Sequence, residues 1–207
     1  MIQKHNQCVL TRGECRALLR YASTDEARVA LNCITIDWPS GAVIATDGHR
    51  LVRVNGQAPQ PERTPTIVPR DAFERASKLC RKAEHGVRVT VDATTSSITL
   101  DAIGPGNVDG ASIAQCLGPD AYPCDVLGCV TVQQRDVEPV PYQQAIERPE
   151  GERASSVGFN AAYLADLLLV QTAADASGVT VRTYGALDGA HITCGSWLVV
   201  QMPMRIE

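Results

Sequence analysis

An α+β fold, with helices lying on one face of antiparallel sheets, is what the sequence predicts, and three observations predict it. Short alternating apolar segments are bounded by Gly, Pro and Asp-Gly turn signals, which is how half-buried strands read. Isolated amphipathic segments of helical period stand between groups of such strands. The order strand, helix, strands recurs three times over 207 residues, so an internal repeat of about 69 residues organises the chain.

The first repeat, 1–57, opens with a strand at Cys8–Leu10 and a helix at Arg12–Tyr21, with Cys15, Leu18, Leu19 and Ala22 on one face. A strand over Val29–Asp37 meets the turn Trp38-Pro39-Ser40-Gly41. Strands Ala42–Thr46 and Leu51–Val54 then flank Asp47-Gly48, a dipeptide that favours a tight hairpin. The second, 64–147, has a strand at Thr66–Val68 and a helix from Arg70 to Glu84 behind Pro69. Its inner face is Phe73, Ala76, Leu79, Cys80 and Ala83, and Gly86 ends it. Strands Val87–Val91, Ser97–Leu100 and Val126–Gln133 follow, the last after a Gly/Pro-rich stretch at 104–123. The third, 154–207, places strand Ser156–Phe159 before a helix Ala161–Thr172 capped by Asn160. Strands Val179–Tyr184, His191–Cys194 and Trp197–Met202 complete it. Polar, Pro-containing segments at 57–65 and 147–154 are the linkers.

Composition excludes several classes. Hydrophobic residues are 44% and charged residues 20% of the chain, so it folds rather than staying disordered. The apolar run Leu167–Val170 falls far short of the roughly 20 residues of a membrane helix, and no signal pattern opens the chain, so a cytoplasmic protein without membrane contact is expected. The eight cysteines are scattered and read as reduced thiols. Cys116, Cys124 and Cys129 are spaced by eight and five, unlike a zinc knuckle, so no metal or cofactor is expected. A net charge of −4 speaks against a uniformly basic surface, yet it allows a local one. In the first helix Arg12, Arg16 and Arg20 stack at i, i+4 and i+8, and in the second Arg75, Lys78 and Lys82 stand at i, i+3 and i+7. Rows of like charge cost a few tenths of a kcal/mol per pair on an isolated helix, and a phosphate backbone would offset that cost. A solvated face is the plain alternative. The third helix has no Lys or Arg and carries Asp166.

Four segments, in order, resemble signatures of one family: Ala45-Thr46-Asp47-Gly48-His49-Arg50-Leu51; Ile67-Val68-Pro69-Arg70; Gly158-Phe159-Asn160 before Ala161-Ala162-Tyr163-Leu164; and Met202-Pro203-Met204-Arg205-Ile206. They are similar to the bacterial sliding clamp, the beta subunit of DNA polymerase III, in a shortened form, and Tyr142-Gln143-Gln144-Ala145-Ile146 is a weaker fifth match. The resemblance implies the DNA-clamp fold built of β-α-β-β-β modules, with 1–57 and 64–147 like the family's middle domain and 154–207 like the second half of its last. It implies a DNA replication processivity factor, not an enzyme, that encircles duplex DNA as a homo-oligomeric ring. With three modules per chain, a ring of the familiar module number would take four chains.

The resemblance also implies a hydrophobic cleft that takes short linear peptides of DNA polymerase and the clamp loader. By matching position the cleft comprises Leu31, Thr46, Gly48, His49, Arg50, Leu51, Val200, Met202, Pro203, Met204 and Arg205, with Gln144 and Ala145 more loosely placed. Met202 and Met204 suit a pocket that accepts several sequences, and His49 and Arg50 would hold peptide polar groups at its rim. Gln201 interposes where the family runs Val-Val into Met. Sequence-independent DNA contact falls to Arg12, Arg16, Arg20, Arg75, Lys78 and Lys82 on the helices and to Arg28 in a loop. A competing role is a clamp-like decoy or adaptor that binds such peptides without encircling DNA. Catalysis lacks support: Cys15, His49 and Asp47 supply suitable side chains, but no nucleophile elbow, phosphate loop or metal motif accompanies them.

Overall fold

The structure, a computed structural model, describes residues 7–57, 59–92, 94–105, 124–147 and 157–204. Five helices and eleven strands occur among them. Strand β1 (Gln7–Thr11) leads into helix α1 (Arg12–Tyr21); β2 (Cys33–Asp37), β3 (Ala42–Thr46) and β4 (Arg50–Asn55) form a meander. β5 (Thr66–Pro69) leads into α2 (Arg70–Leu79), followed by the meander β6 (Gly86–Asp92), β7 (Ser97–Pro105) and β8 (Cys124–Gln133). The short α3 (Gln143–Ile146) precedes α4 (Ala161–Ala165) and α5 (Leu167–Ala173), and β9 (Thr180–Arg182), β10 (Ala190–Cys194) and β11 (Trp197–Gln201) close the chain.

The two antiparallel sheets exchange strands. β1 pairs with β6 in a four-stranded sheet ordered β1-β6-β7-β8, while β5 pairs with β2 in a seven-stranded sheet ordered β5-β2-β3-β4-β11-β10-β9. α1 and α2 are therefore each entered from a strand in a sheet built mainly by another part of the chain. α1 packs between α2 and α5, and the three cover one face of the sheets. That face holds the main core, including Leu10, Leu18, Tyr21, Trp38, Val52, Phe73, Leu100, Val170 and Val199. The opposite face of the larger sheet carries a smaller cluster: Ala42, Ile44, Leu51, Val200 and Tyr142.

Local chemistry explains most boundaries. The Thr11 hydroxyl accepts the Glu14 N–H at 3.2 Å and the Glu14 carboxylate accepts the Thr11 N–H at 2.7 Å, a reciprocal box that starts α1. Asn160 caps α4 by accepting the Ala162 N–H at 2.9 Å. Gly41 and Gly48 sit at φ of 67° and 92°, as their turns require, and a Cβ on Gly41 would lie 2.3 Å from the Gln57 carbonyl oxygen.

Several boundaries differ from the sequence expectation; β7, for one, runs on to Pro105, five residues beyond Leu100. Strand β2 starts at Cys33 rather than Val29, because the Leu31 and Asn32 N–H groups both turn back to the Arg28 carbonyl. Helix α2 stops at Leu79, five residues short of Glu84. Its end is set by tertiary pairing: β6 must begin at Gly86 opposite Thr11, and the His85 ring accepts the Arg81 N–H at 3.2 Å in the intervening turn. The expected helix Ala161–Thr172 is split at Asp166, which is buried. Of the expected strand Ser156–Phe159, Ser156 lies outside the described residues and only Gly158 pairs, bridging to Met204. Most of the Gly/Pro-rich stretch, 106–123, is also outside them.

Candidate functional site

Strand alternation decides which candidate cleft residues share a surface. On β4, Val52 and Val54 face the helices, so Arg50 faces them too and Leu51 faces the other way. On β11 the same alternation sends Val199 inward and Val200 outward, and β4 and β11 lie side by side with Leu51 opposite Val200. Thr46, at the end of β3, shares the outward parity of Ala42 and Ile44, and its hydroxyl donates to the Arg50 carbonyl at 2.7 Å. The Met202 N–H donates to the His49 carbonyl at 3.0 Å, which ties the C-terminal segment to the hairpin tip. A side chain on Gly48 would stand 3.5 Å from Leu31, and one on Gly189 would stand 3.4 Å from the Met202 sulfur. Leu31, Thr46, Gly48, His49, Leu51, Val200 and Met202 are thus brought together. Pro203 and Met204 continue from them; Met202 and Met204 are 44% and 52% exposed. Arg205 is outside the described residues. Gln144 and Ala145 are exposed on α3.

Arg50 corrects the expectation that it holds a peptide at the rim. Its side chain is 5% exposed, and its donors are already used. Nε donates to Asp47 at 2.9 Å, Nη1 to Asp166 at 2.6 Å and Nη2 to the Arg20 carbonyl at 2.9 Å. The guanidinium also lies over the Tyr21 and Tyr163 rings, with its carbon 4.6 and 4.2 Å from their centroids. Asp166 accepts Arg20 Nε as well, at 2.9 Å to both oxygens. Burial works against the Asp166 charge, but hydrogen bonds from Arg50 and then Arg20 outweigh it and hold its carboxyl below the usual carboxylate range. These groups form a latch joining the hairpin, α1 and the α4–α5 junction. The neighbouring inward position is Gln201, 1% exposed and opposite Arg50 on β11.

Tyr142, absent from the expected set, anchors the segment that crosses the outer sheet face. It is 5% exposed, packs with Ile44, Leu51 and Val200, and its hydroxyl donates to Asp37. Its sequence neighbours Gln144 and Ala145 carried the signal, and the aromatic itself is the group that binds.

The basic candidates fall into two places. Arg12 and Arg16 from α1 and Lys78 from α2 line one groove between the helices, together with Arg81 just past the end of α2. Glu74 is in the same groove and pairs with Lys78 at 2.8 Å. Arg75 pairs with Asp71 at 3.5 Å, Lys82 stands 3.8 Å from Glu84 beyond the end of α2, and Arg20 is held by Asp166. Among the described residues Arg12 and Arg16 make no ion pair, so their charge is the most available. Arg28 is elsewhere: it sits 3.6 Å from Asp25, beside the Gly48 tip, and joins the cleft rather than the helix groove. No group of His, Cys, Asp and Glu able to hold a metal ion occurs among the described residues, and no helix among them is long and apolar enough to cross a membrane.

Strand-exchanged β-α-β meanders whose sheets run on from one unit into the next, with helices on a single face, define a DNA-clamp fold. Solved structures with this arrangement are sliding clamps. A DNA polymerase sliding clamp from Pseudomonas aeruginosa superposes with a TM-score of 0.63 at 17% identity, covering 97% of this chain and 66% of that one. The clamp from Bacillus subtilis gives 0.66 at 12% identity over 100% and 66%, and the DNA polymerase III beta subunit of Thermotoga maritima 0.63 at 12% over 97% and 66%. The chain therefore has the DNA polymerase III beta sliding-clamp fold in a shortened form, spanning about 66% of the length of these clamps. No protein-family model and no curated protein matches the sequence.

Proposed function

We propose that this protein is a clamp-like processivity factor, which encircles duplex DNA as a homo-oligomeric ring and tethers DNA polymerase and its clamp loader through short peptides. In this reading 1–57 and 64–147 are the two modules of a domain like the clamp's middle one, and 154–207 is a single module like the second half of its last. The observation that carries the reading is the β4–β11 junction. It sets the Asp47-Gly48 hairpin against the C-terminal Met202-Pro203-Met204 segment on the outer sheet face, while the helices present Arg12, Arg16, Lys78 and Arg81 on the other. A peptide and a DNA duplex would then occupy opposite surfaces and not compete.

The cleft works by apolar burial, with the exposed Met202 and Met204 as its adaptable contact surface and with Leu51 and Val200, packed under Tyr142, as the support beneath. The helix groove works by phosphate contact, which is sequence-independent and lets a ring slide. The role is one of tethering, with no catalytic step. Binding of a fluorescent polymerase-tail peptide, followed by anisotropy, tests the cleft. Saturable binding that weakens in Met204→Ala is expected, and binding unaffected by Met202→Ala and Met204→Ala together would refute the cleft.

A further inference from the structure

The larger sheet contains a template for a contact that the smaller sheet lacks. The described residues hold three meanders, β2-β3-β4, β6-β7-β8 and β9-β10-β11, and the last strands of the first and third, β4 and β11, pair with each other. The last strand of the second, β8, is a sheet edge among the described residues. It runs for ten residues with no Lys, Arg or Pro, and Val126 and Leu127 are 54% and 43% exposed. Edges are ordinarily shortened or charged to prevent pairing. β9, the edge at the far end of the other sheet, is three residues long and carries Arg182.

We propose that β8 pairs antiparallel with β8 of a second copy of this chain, about a two-fold axis at Cys129. The register follows from equivalent positions. Cys33 opposite Pro69 and Gly86 opposite Thr11 both mark the residue before a helix, so β2 aligns with β6 through these residues. Pairing then carries Ile36↔Val43↔Val54 onto Val89↔Leu100↔Val130, which puts Gly128, Cys129 and Val130 in the places of Val52, Arg53 and Val54. In β10–β11 the core pairs Cys194↔Trp197 and Ile192↔Val199 match Ala45↔Val52 and Val43↔Val54. The β4–β11 junction therefore has local two-fold symmetry: Val54 faces Trp197, Val52 faces Val199, and Arg53 faces Leu198 at the centre. Transferred to β8, Cys129 faces Cys129 of the other copy and Gly128 faces Val130 on either side of it; the direct transfer ends at Leu127, where β8 bulges against β7. The stretch Gly128–Val130 carries no charge, and the two-fold makes the contact self-complementary.

The contact deepens the oligomer part of the proposed function and is tested separately from it. Directly opposed residues in an antiparallel pair have Cα atoms about 4.5–5.5 Å apart, within the span of a disulfide, so the exposed Cys129 is a built-in reporter. The full chain is sedimented at micromolar concentration, then treated with diamide, and the cross-linked peptides are identified by mass spectrometry. The expected result is an assembly with an even number of chains, joined in pairs through Cys129–Cys129. Cys129→Ser should keep the assembly and lose the cross-link, while Cys129→Lys, which sets two like charges face to face on an exposed edge, should at least halve the mass. A monomer at these concentrations overturns the proposal, as does an assembly that survives Cys129→Lys. An assembly that survives that change and is still retained on circular DNA leaves the ring reading standing and removes only the β8 contact. Pairing through Cys129 without retention on DNA removes the ring and keeps the contact.

Discussion

Replacing Asp166 with Ala removes the carboxylate that Arg20 and Arg50 share, and the structure allows the cost to be worked out partner by partner. Arg20 is 55% exposed, so its pairing contributes at most about 1 kcal/mol. Arg50 is 5% exposed, and a buried cation stripped of every counter-charge costs about 3–5 kcal/mol. Asp47 still pairs with it at 2.9 Å and the Arg20 carbonyl remains, so roughly half that penalty applies. A total loss of about 2–3 kcal/mol follows, or a fall in Tm of roughly 5–10 °C for a chain of this size. Urea unfolding followed by circular dichroism measures it. The effect should depend on pH in a definite direction. Because the folded pKa of Asp166 lies below its unfolded value, its stabilisation is full above that unfolded value, about 3.9, and is lost as pH falls through the folded one. The gap between wild type and Asp166→Ala should be constant from pH 7 to about 5 and narrow below about 4. A variant within about 0.5 kcal/mol of wild type at pH 7 would refute the latch.

Other outcomes follow from the same geometry. Leu51→Ala, at a position 4% exposed, should cost about 2–5 kcal/mol of stability, whereas Met202→Ala and Met204→Ala should leave unfolding unchanged and weaken peptide binding roughly tenfold together, measured by anisotropy. Arg12→Ala with Arg16→Ala should reduce the slope of log K against log salt for duplex DNA by about 2, and Arg75→Ala, already paired with Asp71, by less than 1. Iodoacetamide at pH 8 should label Cys129 first and leave Cys8 and Cys15 unmodified in the folded protein, because burial pushes both buried thiols well above their ordinary pKa. Fast labelling of Cys15 would contradict the packing of α1.

What was legible in the sequence was local. The Asp47-Gly48 turn, the Asn160 cap and the strands Ala42–Thr46 and Trp197–Gln201 depend on neighbouring residues and were readable in place. Strand alternation also held the information that Arg50 and Leu51 point to opposite faces, although matching by motif grouped them in one cleft. The end of α2 was not legible, since the amphipathic pattern continues through Ala83 and the stop comes from pairing Gly86 with Thr11, 75 positions earlier. Nor was the latch: Asp166 and Arg50 are separated by 116 positions, and an ion pair between distant elements leaves no periodic trace. Arg81 was legible but passed over: it stands at i+7 from Glu74 and i+3 from Lys78, the spacing of one helix face, and the row drawn through Arg75, Lys78 and Lys82 led past it.

Retention on closed circular DNA tests the central claim most directly. The protein, loaded with its cognate loader and ATP onto nicked plasmid and passed over a sizing column in high salt, is compared before and after the plasmid is cut once. A ring that encircles the duplex should travel with the circle and be lost from the linear form. Equal retention on both, or none on either, would contradict it.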